Sequence, residues 1–215
     1  MGLGNENAVD EAHVETVEKL FHDNGLVPSI SATPYSHPSL FSVAGKRGWS
    51  ITEWGGVLVL FLEDDISVDR KIGWKGRIDA IREDELDLWA KTISHGFAAD
   101  HSLSEDDTAL HRSFAQMEDA TCYLARMDDE IAGASIMVHL PEERMVSISS
   151  ASTLPNFRGM GIHQAMIHHR LQQARELGVD TAVYMVIPGS PSQRNAERAG
   201  FQLAYSSCLI QKPAS

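Results

Sequence analysis

Between Met145 and Leu177 the chain passes from a β-like run, Val146-Ser147-Ile148-Ser149-Ser150-Ala151-Ser152-Thr153-Leu154, through Pro155-Asn156-Phe157 to Arg158-Gly159-Met160-Gly161-Ile162-His163, and then directly into a long helix. Strand, glycine loop and helix in that order make an anion site. The free N–H groups of the loop and of the first helical turn point outward, and the helix dipole adds roughly half a positive charge. Two glycines let an anion approach the backbone where a side chain would block it.

The spacing narrows the kind of anion. A P-loop needs Gly-Lys-Ser/Thr, and Gly161 is followed by Ile162 and His163. A dinucleotide fingerprint needs a third glycine where Gln164 stands. What remains is an arginine, two residues, a glycine, one residue and then a position for a small side chain. Taken alone, this loop also reads as an ordinary βα connection.

The surrounding pattern adds to it. Residues 77–82 read as a strand, and 83–97 as an amphipathic helix with Leu86, Trp89, Ala90, Ile93 and Phe97 on one stripe. Ser104-Glu105-Asp106-Asp107 reads as a cap before a helix carrying Leu110, Phe114 and Met117. Residues 121–127 and 131–140 read as a hairpin turning at Asp128-Asp129. Residues 181–187 read as a nearly continuous apolar, central strand. Ser190-Pro191-Ser192-Gln193 opens another helix, with Ser190 as cap, Pro191 at the first position and Gln193 completing a capping box. Gly200 closes that helix as a left-handed cap before a last strand over 201–210.

The loop, the order of elements over 77–212 and the Gly200-Phe201 corner together resemble an acetyltransferase domain of the GNAT superfamily. Arg158 and Gly161 match its acetyl-CoA pyrophosphate loop; His163 departs from it, since the family usually has Gly or Ala there. The resemblance implies an α/β fold on a mixed sheet and acetyl-CoA as co-substrate, with no metal. It implies direct attack of an amine, from a small molecule or a peptide, on the thioester. It also implies a cofactor site. The pyrophosphate would sit on the amides of Arg158, Gly159, Met160, Gly161, Ile162 and His163. The pantetheine arm would pair with the strand end Ser152-Thr153-Leu154, and Ser192 and Asn195 would face the cofactor from the last helix. Asn195 also reads as a plain helix-surface residue. The serines at 147, 149, 150 and 152 fit either a polar cleft or a solvated face.

The catalytic groups are less legible. An amine with a lysine-like pKa of ~10.4 is almost wholly protonated at pH 7, so a base or desolvation is needed. The family often places a Glu on the strand before the loop, and none stands between Val146 and Leu154. It often uses a Tyr four residues before the Gly of the Gly-Phe corner, and that position is Ala196. Tyr184 and Tyr205, on the flanking strands, are the substitutes, and each also reads as a packed core tyrosine. Two functions therefore stay open: an acetyl-CoA-dependent N-acetyltransferase, or a non-catalytic acyl-CoA-binding module.

Residues 10–65 read as a second, partial copy of the C-terminal half. Gly25 and Gly178 stand 153 apart, as do Pro38-Ser39 and Pro191-Ser192, and Gly48-Trp49 stands 152 before Gly200-Phe201. This resembles the back half of a degenerate GNAT domain, joined through a linker over 66–76 to a catalytic domain over 77–212. Such a half-sheet exposes an edge, so residues 10–65 are expected to lean on the catalytic domain or on a second chain, the latter as a homodimer. The net charge of −12 argues against nucleic acid. The apolar run Val57–Leu62 is too short for a membrane span. The N-terminus has no signal-peptide pattern, and Cys122 and Cys208 form no metal or redox spacing. A cytoplasmic protein is expected. The histidines at 163, 168 and 169 lack the i, i+4 spacing of a zinc helix.

Overall fold

The computed structural model describes residues 3–62, 73–97 and 105–213. The fold is mixed α/β. Along the chain come α1 (Glu11–Asp23), β1 (Ser29–Ala32), α2 (Pro38–Lys46), β2 (Ser50–Phe61), β3 (Arg77–Ala80), α3 (Leu86–Phe97), α4 (Glu105–Ala115) and β4 (Ala120–Met127). Then follow β5 (Glu130–Leu140), β6 (Met145–Ser147), β7 (Ala151–Thr153), α5 (Ile162–Glu176), β8 (Thr181–Val186), α6 (Pro191–Arg198) and β9 (Gln202–Gln211). Residues 98–104, with the expected cap Ser104, and most of the 66–76 segment lie outside the described residues.

The chain divides into two compact units, one of residues 1–57 with 203–215 and one of residues 58–202. In the larger unit β3, β4 and β5 are antiparallel neighbours, β5 pairs antiparallel with β6, and β6 pairs parallel with β8. The hairpin turns at Asp128 and Asp129, both at positive φ (49° and 65°), which is the I′ geometry that suits strand twist. Successive residues of β4 point to opposite faces. Tyr123, with Met137 and Val146, packs against Ile167 and Leu171 of α5. Cys122 and Leu124, with Ala134 and Ile136, pack against Trp89, Ala90 and Ile93 of α3. Trp89 is fully buried and its Nε1 donates to the Ser135 carbonyl at 3.0 Å. Phe114 joins this cluster, whereas Leu110 and Met117 are exposed.

The run from 146 to 154 is not one strand. β6 stops at Ser147, β7 starts at Ala151, and Ser150 between them stands at φ 50°. The cause lies on α5. Arg170, fully buried, donates from Nη1 to the carbonyls of Ile136 (2.9 Å), Ser149 (3.3 Å) and Ile148. Carbonyls spent on a guanidinium cannot continue a ladder. β8 differs from expectation too. It alternates, with Ala182, Tyr184 and Val186 inside and Met185 exposed, so it is not buried on both faces.

The smaller unit holds α1, β1, α2, the first part of β2, and β9. β9 pairs antiparallel with β1 from Ser29↔Gln211 to Ala32↔Cys208, which is why the last strand groups with the front of the chain and not with residues 77–202. Its core joins Val14, Ile30, Leu40, Trp49 and Ile210. Glu18, buried among them, accepts from Arg47 Nη2 (2.8 Å), Trp49 Nε1 (3.0 Å) and Lys212 Nζ (3.1 Å). Arg47 foremost holds this carboxyl down at about 2, well below its ordinary value.

Two predictions follow from burial and charge. Leu58 is fully buried in the α5-side core, so Leu58→Ala should cost about 2–5 kcal/mol in a denaturant titration. A fragment beginning at residue 77, which lacks Leu58 and Leu60, should then melt without a cooperative transition. Glu18 is depressed in the fold, so it stabilises above its unfolded pKa of about 4.5, and that stability drains as pH falls towards about 2. Glu18→Gln should flatten the stability–pH curve in that window and cost about 3 kcal/mol at neutral pH, because it strips a buried charge from its partners.

Candidate active site

The site lies in the larger unit, where β7 leaves β8. Among the described residues β7 pairs with β5 alone. Leu154 N donates to Ala132 O (2.9 Å) and Ile136 N to Ser150 O (3.2 Å), so 150, 152 and 154 are the hydrogen-bonded positions on the β5 side. The backbone groups of Ala151 and Thr153 therefore face the open edge. This corrects the expected pairing segment: Ser152 and Leu154 turn their backbone inward, and Ser152 Oγ points to Thr92 O (3.4 Å) of α3. α3 comes so close that a methyl on Gly96 would collide with Ser152.

After a short turn over Pro155–Phe157, Gly159 and Gly161 take positive φ (80° and 83°). Gly161 is the N-cap of α5, and no side chain caps that helix. Its leading amides thus stay available as a cluster of donors on the positive end of the dipole. Arg158 does not reach outward. Its guanidinium donates to Gly96 O (3.1 Å) and Thr153 O (3.4 Å), so it braces the loop against α3 and β7.

A cavity of about 560 Å³ runs along these elements. Of the residues singled out in the sequence, Ser152, Thr153, Arg158, Gly159, Gly161, Ile162, His163, Ser192 and Asn195 line it. Leu154, Met160, Tyr184 and Tyr205 do not. Tyr205 lies in the smaller unit, edge-on to Tyr35 at 5.6 Å. Phe97 and Arg198 also line the cavity; in the sequence Phe97 belongs to the apolar stripe of α3, and Arg198 carries no signal beyond lying three residues after Asn195 on α6. Ser190 caps α6 through Gln193 N (3.1 Å), while Gln193 Oε1 accepts from Gly189 N (2.7 Å) instead of closing a capping box on Ser190. Among the described residues no three His, Cys, Asp or Glu side chains are grouped as metal ligands.

The cavity wall carries a hydrogen-bond chain. Arg198 donates to Asn195 Oδ1 (3.2 Å), and Asn195 Nδ2 meets His163 Nδ1 (3.2 Å). His163 Nε2 meets the Tyr184 hydroxyl (3.2 Å), which meets Ser192 Oγ (2.9 Å). Burial foremost, then the Arg170 charge, pushes His163 down to about 4, so it is neutral at physiological pH. Because its folded value lies below the unfolded one near 6.5, the unfolded chain binds this proton first. His163 should therefore cost stability as pH falls from about 6.5 towards 4. Thermal melts across that range should show the loss, and His163→Gln should remove it.

A sequence profile described as the Acetyltransferase (GNAT) family matches residues 80–201, more than half of the chain. No curated protein matches the sequence. Among solved structures, a GCN5-related N-acetyltransferase from Kribbella flavida is similar at 18% identity and TM-score 0.68, over 97% of this chain and 79% of that one. A GCN5-related N-acetyltransferase from Sphaerobacter thermophilus is similar at 15% identity and TM-score 0.67, over 95% and 68%. A tandem GNAT protein from the clavulanic acid biosynthesis pathway is similar at 14% identity and TM-score 0.62, over 95% and 70%. At these identities the structures speak for the fold, and the profile for the lineage: the chain belongs to the GNAT family of acetyltransferases.

Proposed function

We propose that the larger unit binds acetyl-CoA and transfers its acetyl group to an amine of a small molecule or peptide. One observation carries this reading: the uncapped start of α5, behind two glycines at positive φ, opens on the same cavity as the free edge of β7. The donor set fits the cofactor. The loop amides suit a diphosphate, and the backbone groups of Ala151 with the Thr153 amide suit an amide-bearing arm laid alongside as an extra strand. Thr153 Oγ1 is buried with no partner among the described residues, which leaves one donor for such a ligand. Acetyl-CoA would supply the activated thioester; the protein would hold it, exclude water and handle protons.

A second reading is a non-catalytic acyl-CoA-binding module. It is favoured by the absence of a Glu along β6 and β7 and by Ala196, fully buried where the family often has tyrosine. Tyr184, bonded to two cavity-lining residues, is the better of the two tyrosine candidates for proton transfer.

The front of the chain belongs to the proposal as a partial GNAT-like repeat. Helix α2 ends with Gly48 N on Gly45 O (3.1 Å) and Trp49 N on Ala44 O (3.0 Å); α6 ends with Gly200 N on Glu197 O (3.0 Å) and Phe201 N on Ala196 O (3.1 Å). These are matching Schellman closures. The same pair recurs at Gly25 and Gly178, both at φ 69°. Two buried, unbridged cysteines and no described helix able to cross a membrane suit the proposed cytoplasmic setting.

The test is a thermal shift with acetyl-CoA, with CoA and ATP as controls. At a hundred times the dissociation constant, binding should add ~2.7 kcal/mol, or roughly 5–11 °C for a chain of this size. Both CoA forms should shift the melt and ATP should not. Gly161→Val, whose side chain would enter the loop, should abolish the shift; its own melt without ligand reports any backbone strain separately. An unshifted parent protein would overturn the reading, and binding without turnover on an amine panel would select the second.

A further inference from the structure

Tyr184 is buried, 2% exposed, and does not line the cavity. A proton held there reaches the cavity only through a neighbour. The bond chain identifies that neighbour and gives it a direction. Arg198 can only donate, so Asn195 Oδ1 accepts and Asn195 Nδ2 is the donor to His163. His163 Nδ1 is then the acceptor, and its neutral ring carries the hydrogen on Nε2, which donates to the Tyr184 oxygen. The phenol hydrogen has one acceptor left among these bonds, Ser192 Oγ at 2.9 Å, and Ser192 lines the cavity.

Behind the phenol lies a second observation. The Arg170 guanidinium carbon is 6.0 Å from the Tyr184 ring centre. Nε and Nη1 donate to the backbone carbonyls of Met166, Ile136, Ile148 and Ser149, and Nη2, fully buried, has no hydrogen-bond partner among the described residues. A buried cation answered only by dipoles favours an anion beside it.

We propose that Ser192 is the catalytic hydroxyl that protonates the departing thiolate, and that Tyr184, oriented by His163 and faced by Arg170, replenishes it. This rests on the acetyltransferase reading. As the acyl carbon–sulfur bond breaks, sulfur keeps the electron pair and takes the Ser192 proton. Ser192 takes the Tyr184 proton, and the phenolate stays against His163 Nε2–H and the Arg170 charge. The proton shed by the acylated nitrogen returns to Tyr184 through solvent, so the cycle closes without another reactant.

The test has two readouts. In the ligand-free protein, ¹⁵N NMR of His163 should show Nε2 protonated and Nδ1 bare from pH 5 to 8; the opposite tautomer overturns the relay. Turnover is read with acetyl-CoA and hydroxylamine, a nucleophile already neutral at pH 7.5, so that it reports departure of CoA and not activation of the amine. Tyr184→Phe and Ser192→Ala should each lower kcat at least about 10-fold, the low end because a thiol leaves readily, with KM for acetyl-CoA unchanged. The double variant should be no slower than the worse single one, and Ser192→Thr should restore most of the rate. Full kcat in either single variant, or losses that multiply, overturn the relay while leaving the acetyltransferase reading intact. A parent protein that binds acetyl-CoA but turns over nothing overturns both.

Discussion

A single buried guanidinium shapes the working part of the larger unit. Arg170 stands on α5 within the sheet-facing surface, where Met166, Ile167 and Leu171 pack, and it takes carbonyls from β5 and from the break between β6 and β7. Burying a cation this completely is costly unless its donors are satisfied. Nε is met by the Met166 carbonyl of α5 itself, and Nη1 by carbonyls of β5 and of the segment after β6. Up to Ser147 the chain follows β8; at Ser149 the ladder is replaced by a side chain, whose Oγ accepts from Met185 N at 3.4 Å. Beyond that point β7 has a free edge, and the cavity occupies the space so opened.

The glycine loop then acts within a frame set by α3. Gly96 permits close contact with Ser152, and the Gly96 carbonyl receives Arg158. The loop arginine, the most conspicuous cation in the sequence motif, is thus spent on position, and the attraction for an anion comes from the unspent amides of α5. The cationic side chain added to the cavity is Arg198, itself bonded to Asn195. In a chain of net charge −12, this cavity is lined by the start of a helix and by Arg158 and Arg198.

How much of this the sequence disclosed depended on the range of the forces involved. Periodicity located α3 and the hairpin over β4 and β5, and the glycine loop and the capping residues located α5 and α6, because local patterning decides them. Gly161 and Gly200 were legible because positive φ has few other tenants. The break at Ile148–Ser150 was not legible. Serine and isoleucine there suit a strand, and the group that breaks it is 22 positions away from Ile148 on a helix, where an arginine reads as surface. The grouping of β9 with residues 1–57 was hidden for a related reason: pairing with β1 joins residues at opposite ends of the chain, and no local signal specifies it. Of the two tyrosines, the pattern alone could not choose; burial and bonding separate Tyr184 from Tyr205.

The departures from the family pattern fall on one wall of the cavity. His163 stands in the loop where the family usually has a small residue, and Ala196 stands on the following helix where it often has a tyrosine. Ala196 is buried in the same cluster as Tyr184 and Phe201, so the helix face that would have carried a phenol is instead packed against one that comes from β8. That phenol needs a fixed orientation, because a strand residue pointing into the core has no natural route to the cavity. The imidazole that the loop gained supplies it: neutral through burial, it donates from Nε2 while Asn195 holds Nδ1. A small residue at 163 would leave the phenol oxygen without its donor, and a tyrosine at 196 would need the volume in which Tyr184 and Phe201 meet edge to face at 5.9 Å. The two departures therefore meet in one place: His163 bonds the phenol that β8 supplies, and Ala196 leaves the room in which that ring packs.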